Sequence, residues 1–239
     1  MKGIILGIHP DVRIVDITHL ISPHNIEQAA FVLKNAFVHF PDGTIHVAVV
    51  DPGVGSERAA LLVLAGRQLF LAPDNGLLKY VFDLHPNATV YHLTNEAYFH
   101  KPVSLTFHGR DVFAPVAAHL ARGVRPESAG KRFDGFIRDQ VRRPVIKTGE
   151  TTGEILYIDG FGNAVTNIEA AAVEAFEKTE VRIKRFVIRG IRRTYSERDK
   201  EQPLAVIGSH GNVEIAVNQG SAERVLRLCA GDSVTVLSK

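Results

Sequence analysis

Five short polar stretches carry the residue types from which chemistry could be made. They are the segment from Asp51 to Arg58 in VVDPGVGSER, then Asp74-Asn75-Gly76, His108-Gly109-Arg110-Asp111, Asp159-Gly160-Phe161-Gly162-Asn163 and Ser209-His210-Gly211-Asn212. Each alone reads as a turn, because Gly, Asn and Asp belong in turns, and Phe161 could be core. Taken together they supply carboxylates, guanidinium groups and imidazoles. Arginine lowers the cost of an anion, aspartate orients or polarises, and histidine moves a proton near neutral pH. Such a set can bind and deprotonate a water without a metal. The eleven histidines are scattered, and no pair sits at metal-ligand spacing beside a third ligand. Walker, GxGxxG, GxSxG and HExxH motifs are absent. The glycine loop 53–55 could cradle a phosphate but lacks a following Lys-Ser/Thr.

The elements that must position these residues follow from spacing. Residues 47–50 are apolar and rich in β-branched types, which reads as a buried parallel strand. Pro52 and the two glycines after it end that strand, placing Asp51 at its carboxyl end, where open α/β sheets bind ligands. Ile4, Ile5 and Ile8 share a helical face, and residues 12–17 alternate like a strand. Asn25 is a plausible N-cap for an amphipathic helix over 26–39. Apolar runs at 59–64 and 68–71 around Gly66-Arg67 read as a hairpin, 77–82 as a short helix, and 89–93 as a strand. A helix over 113–120 places Asp111 in its first turn and His108 just ahead of it. Strands alternating with helices predict an α/β domain with a mostly parallel central sheet. From residue 151 the pattern changes to short strands at 153–158, 164–168, 181–183, 185–188, 204–207, 213–217 and 233–237. Helical hints remain only at 169–177 and 221–226, as in a small β-barrel or sandwich. The expected domains are 1–135 (α/β), a basic, aperiodic linker at 136–148, and 149–239 (β-barrel).

Composition narrows the class. With 239 residues, 45% hydrophobic, 23% charged and a net charge of +2, the chain is an ordinary globular protein with no argument for a nucleic-acid or membrane partner. Its single cysteine, Cys229, permits no internal disulfide and fits a reducing compartment. No run of about 18 apolar residues exists to span a membrane, and MKGIILGIHP lacks the features of a signal peptide. The expected location is cytoplasmic.

VVDPGVGSER, APDNGLL, FHGRDVFAP, IDGFGNAVTNI and SHGNVEIAVN, in that order, resemble the S-adenosylmethionine hydrolases, also called SAM hydroxide adenosyltransferases, which are related to fluorinases and chlorinases. The resemblance covers nearly the whole chain. It implies an N-terminal α/β domain and a C-terminal β-barrel. It also implies a homotrimer with active sites at subunit interfaces, and hydrolysis of S-adenosylmethionine to adenosine and methionine without a metal or bound cofactor. The family's Asp-Arg-His triad falls on Asp51, Arg58 and His108. The halogenating branch replaces this triad, so its presence implies water as nucleophile. Asp159 and Ser209 match residues that hold the methionine part, and Asn163 matches an adenine contact with Phe161 close by. Asp74, Asn75, His210 and Glu214 lie on motifs near the site. His24 stands where the halogenating relatives carry Trp over the sugar. Family members usually begin with a further strand and an LLTDFG-type loop whose Asp grips the ribose. The expectation is an N-terminal domain lacking that strand, through a late gene start or a real loss. A real loss implies a nucleoside- or SAM-binding module without turnover.

Overall fold

The computed structural model describes residues 1–239 and separates into two units, Met1–Val141 and Arg142–Lys239. The first unit begins with α1 (Lys2–Ile8), none of whose residues is buried. Helix α2 (Ile26–Phe37) starts at Asn25, whose side chain accepts from Gln28 N at 2.9 Å, a cap worth about 1 kcal/mol. Then follow β1 (Ile45–Val47), β2 (Ala60–Ala65), β3 (Gln68–Pro73), α3 (Lys79–Leu84), β4 (Thr89–Leu93), α4 (Ala114–Ala121), α5 (Pro126–Ala129) and β5 (Gly130–Arg132). The strands form one sheet in the order β1-β3-β2-β4-β5.

This sheet is mixed, which corrects the expectation of a mostly parallel one. Only β1 and β3 run parallel; β3 with β2, β2 with β4, and β4 with β5 are antiparallel. Both faces are covered. Leu61 and Val63 pack with Leu33 and Phe37 of α2 and Val81 of α3, whereas Ala60 and Leu62 pack with Val116 and Leu120 of α4. A two-sided core removes the polar alternation that normally betrays antiparallel strands. The β2–β3 hairpin turns at Gly66-Arg67 as expected. The 47–50 strand is displaced: ladder pairing ends at Val47, and Ala48 N adds one more bond to Leu71 O at 2.9 Å. Asp51 therefore lies in the loop beyond the ladder. Residues 12–17 form no strand; Val15 and Ile17 alternate but remain exposed, with no neighbouring strand to pair.

The second unit holds β6 (Val145–Lys147), β7 (Glu150–Ile158), β8 (Ala164–Glu169), β9 (Thr179–Ile183), β10 (Phe186–Arg189), β11 (Ile191–Arg192), β12 (Pro203–Ile207), β13 (Asn212–Val217), α6 (Ala222–Leu226) and β14 (Ser233–Ser238). Eight of these strands run β10-β9-β14-β7-β8-β13-β12-β11, with β6 paired to β7. Gly190 alone joins β10 at one end of this order to β11 at the other, at φ +79°. Its N–H donates to Thr179 O on β9 at 2.8 Å, and Ile191 N donates to Thr179 Oγ1 at 2.9 Å. The sheet thus curls into a nearly closed barrel around Ile155, Ile168, Ile183, Ile215 and Val236. The helical hint at 169–177 reduces to a 3₁₀ turn, Ala170–Ala172, whereas α6 forms with Ser221 as its cap. Within the segment read as a linker, Phe136 is buried and β6 belongs to the second unit's sheet.

Candidate active site

Asp51, Arg58 and His108 meet in the first unit. The chain leaves β1, passes Asp51, turns through the glycine loop and returns with Arg58 just before β2. Arg58 Nε donates to Asp51 Oδ1 at 2.8 Å, and Arg58 Nη2 donates to Asp51 Oδ2. The pair is buried, with side-chain exposures of 9% for Arg58 and 6% for Asp51. A planar fork meeting a carboxylate through two bonds is rigid as well as strong. Arg58 Nη2 also lies 3.0 Å from His108 Nδ1, and the guanidinium carbon lies 5.7 Å from the centre of the Phe113 ring. Burial first, then the Arg58 charge, holds His108 below the usual imidazole value, against the opposing pull of Asp51 and Asp111. The imidazole is therefore neutral at pH 7 and can accept a proton.

His108 itself is placed by an irregular helix start. Gly109–Phe113 forms a π-helical turn leading into α4, a distortion that recurs at functional sites. Asp111 sits inside that wider turn, not in the first turn of a regular helix as the sequence predicts. Asp74 and Asn75 buttress the triad from the end of β3. Asn75 Nδ2 donates to Val50 O at 2.8 Å, and Asn75 Oδ1 accepts from Leu77 N at 3.2 Å. Both amide ends thereby tie the residue before Asp51 to the start of the next turn. Asp74 is buried, accepts from Ile137 N at 2.9 Å, and has its carboxyl pushed above the usual range chiefly by burial. His24 lies apart from these contacts, exposed, at φ +65° in the turn before α2.

The remaining six candidates gather in the second unit. Asp159, Phe161, Asn163, Ser209, His210 and Glu214 line one cavity of about 920 Å³. Asp159 Oδ1 accepts from the backbone N–H groups of Phe161 at 2.8 Å and Asn163 at 2.9 Å. Its Oδ2 accepts from Asn163 Nδ2 at 3.1 Å. Gly162 completes this loop at φ +85°, where a Cβ would stand 2.1 Å from Ser221 Oγ. Phe161 is 83% exposed at the loop tip and is not a core residue. Glu214 is nearly buried; its Oε1 accepts from Tyr195 Oη at 2.7 Å, and its Oε2 lies 3.4 Å from His210 Nε2.

Sequence reasoning missed the two tyrosines of this cavity. Tyr157 lies on β7, two positions ahead of the Asp159 loop that follows the strand, and this nearness in sequence could have revealed it. Its phenol is pushed up to about 12 by burial and by the charges of Asp159 and Glu214. Tyr195 comes from a distant 3₁₀ turn, Tyr195–Glu197, and its phenol is likewise raised, by burial first and then by its bond to Glu214. No group of three or more His, Cys, Asp or Glu is placed to share a metal ion, and no helix is long and apolar enough to cross a membrane.

Residues 1–130 match the model of the SAM hydroxide adenosyltransferase N-terminal domain, and residues 153–235 match that of its C-terminal domain. The chain belongs to the SAM hydroxide adenosyltransferase family. Among its relatives is the (R)-S-adenosyl-L-methionine hydrolase of Thermus thermophilus, 38% identical over 99% of this chain and 92% of that protein. The (R)-S-adenosyl-L-methionine hydrolase of Methanocaldococcus jannaschii is 34% identical over 99% and 89% of the two chains. The fluorinase of Nocardia brasiliensis is more distant, 27% identical over 98% and 90%. A crystal structure of an uncharacterized conserved protein from Thermotoga maritima superposes with a TM-score of 0.91 at 36% identity, covering 99% of this chain and 93% of that one.

Proposed function

We propose that this family member hydrolyses (R)-S-adenosyl-L-methionine to adenosine and methionine. The observation that carries the reading is Arg58 wedged between the Asp51 carboxylate and the lone pair of His108 Nδ1, in a chain whose near relatives carry the name of that hydrolase. A water entering the Arg58–His108 contact accepts from the guanidinium and donates to Nδ1. The water oxygen attacks ribose C5′, the C5′–S bond breaks with its electron pair passing to sulfur, and methionine leaves as a neutral thioether. The water proton goes to His108 and from there to solvent. Arg58 stabilises the negative charge that grows on the attacking oxygen, and Asp51 fixes the guanidinium plane. The leaving group needs no acid, and the atoms and charges of the step balance without a cofactor.

The second-unit cavity is assigned to the substrate's binding, with Asp159 and Ser209 on the methionine part and Asn163 beside the adenine. His24, Asp74, Asn75, Phe161, His210 and Glu214 are proposed as further substrate-binding residues. The assembly that completes the site is proposed as a homotrimer in the cytoplasm; its support is the family resemblance, and light scattering of the purified protein tests its stoichiometry. The binding-only alternative has no observation in its favour, because the three side chains required for turnover are present and in contact.

The test is incubation of the purified protein with (R)-S-adenosyl-L-methionine in H₂¹⁸O containing excess chloride. Adenosine carrying one ¹⁸O at its 5′ oxygen is the expected product. Unlabelled adenosine, 5′-chloro-adenosine as the main product, or no product would each overturn the proposal.

A further inference from the structure

Asp111 is the most completely buried carboxylate of the first unit, at 0% exposure, and the reaction above gives it no task. Its Oδ1 accepts from Arg110 Nε at 2.7 Å, and its Oδ2 accepts from Arg110 Nη2 at 2.9 Å. Oδ2 also accepts from Ser104 N at 2.9 Å, which reaches back across the loop preceding His108. That loop has little apolar anchorage: Leu105 is 75% exposed and Phe107 is 47% exposed. Polar contacts hold it instead. The Arg110 guanidinium carbon lies 5.0 Å from the centre of the Phe107 ring, so the residue next to His108 is covered by the same arginine that clamps Asp111. The backbone of the π-helical turn adds bonds from Arg110 N and Asp111 N to Phe107 O at 3.1 and 3.2 Å. On the opposite side, Gly55 of the Asp51–Arg58 loop approaches so closely that a Cβ there would stand 2.3 Å from Leu105 O.

We infer that Asp111, clamped by Arg110, is a positioning residue that holds the 104–107 loop and thereby sets His108 Nδ1 against Arg58. A buried carboxylate with three donors has its ionised form secured; its carboxyl is held below the usual range, first by the bond from Arg110 and, in smaller part, by the Ser104 N–H. Removing the charge leaves Arg110 free to leave Phe107, and the loop has no core to fall back on. The contact at risk is the 3.0 Å approach between Arg58 and His108, and displacement on the ångström scale costs on the order of 10²-fold in rate.

The kinetic arm of the test rests on the hydrolysis reading; a spectroscopic arm does not. Asp111→Asn keeps the shape and the acceptor for Ser104 N but removes the charge. Its kcat should fall about 10–100-fold, with KM changed less than about threefold, because alignment and not affinity is lost. The charged groups facing His108 are Arg58, Asp51 and Asp111. Losing the last of these should move the acid limb of the rate profile to lower pH. Arg110→Gln, at a half-exposed side chain, should shift kcat in the same direction and serves if Asp111→Asn does not fold. Independently of turnover, ¹⁵N spectra of His108 should report one fixed tautomer in the parent protein and exchange-averaged ring signals in either variant. Unchanged kcat overturns the assignment. So does a fall in kcat with His108 ring signals identical to the parent. If the parent itself lacks hydrolase activity, the hydrolysis reading fails, and the ring signals alone decide the role of Asp111.

Discussion

Arg58 Nη2 lies 3.0 Å from His108 Nδ1, and because a guanidinium only donates, that ring nitrogen presents its lone pair. Catalysis then needs the neutral ring. His108 is held below the ordinary imidazole value by burial and by Arg58, so protonation, and with it loss of activity, comes only at acid pH. The profile of kcat/KM should be flat through neutrality and fall on the acid side with a midpoint below about 6.5, the unperturbed histidine value. A midpoint at or above that value contradicts the assignment. Buried His46, stacked on Phe70 at 4.8 Å between ring centres, is also held low by burial. The unfolded chain binds its proton more readily, so the first unit loses stability as pH falls through the same range. Circular dichroism at each pH separates this loss from the catalytic limb.

Replacing Arg58 by Ala should lower kcat by far more than it raises KM, since the guanidinium acts most strongly on charge that exists only in the transition state. Arg58→Lys should recover part of the loss: an ammonium restores charge but not the two-bond fork to Asp51. His108→Ala should cost about 10²–10⁴-fold, the range for a positioned general base. In the double variant the losses should fall well short of multiplying, because both groups act on one water. Steady-state kinetics of the four proteins checks this, and fully multiplicative losses would separate the two residues mechanistically.

The approach of Gly55 to Leu105 gives a third expectation. Gly55 has φ +80° and no room for a Cβ against Leu105 O, whereas Gly43 has the same φ +80° with nothing within 4 Å. Gly43→Ala therefore reports backbone strain alone, and Gly55→Ala reports strain plus collision. Strain of this kind destabilises by more than about 1 kcal/mol, so both should melt lower than the parent by at least about 2–4 °C. Gly55→Ala should melt lower still and lose activity that Gly43→Ala retains. Equal melting temperatures for the two variants would show that the loop yields to the added methyl.

Much of this arrangement was legible in the chain. The period of Ala29, Leu33 and Phe37 and the cap at Asn25 defined α2, and the glycine-bounded apolar runs defined the β2–β3 hairpin. The polar loops were visible because Asp, Asn, Gly and His stand abruptly after apolar runs. Strand direction beyond that hairpin was not legible: ALLVLA of β2 is apolar throughout because helices cover both faces, a pattern shared by parallel strands, so its antiparallel pairing with β4 left no mark. Residues 12–17 show the converse, an alternation with no partner. Nothing in the sequence pairs Asn75 with its partners, Val50 O and Leu77 N. Only the folded chain brings Tyr195 to Glu214 across 19 positions.

The triad joins two contacts of very different reach along the chain. Arg58 meets Asp51 across 7 positions, whereas it meets His108 across 50. The first can close within one loop as soon as the glycine turn forms. The second requires β2, β3 and β4 to be in register and the π-helical turn to be seated, and such distant pairings close late and slowly. Recovery of turnover after dilution from denaturant therefore requires closure of the 50-position contact as well as of the Asp51–Arg58 clamp, which lies within one loop.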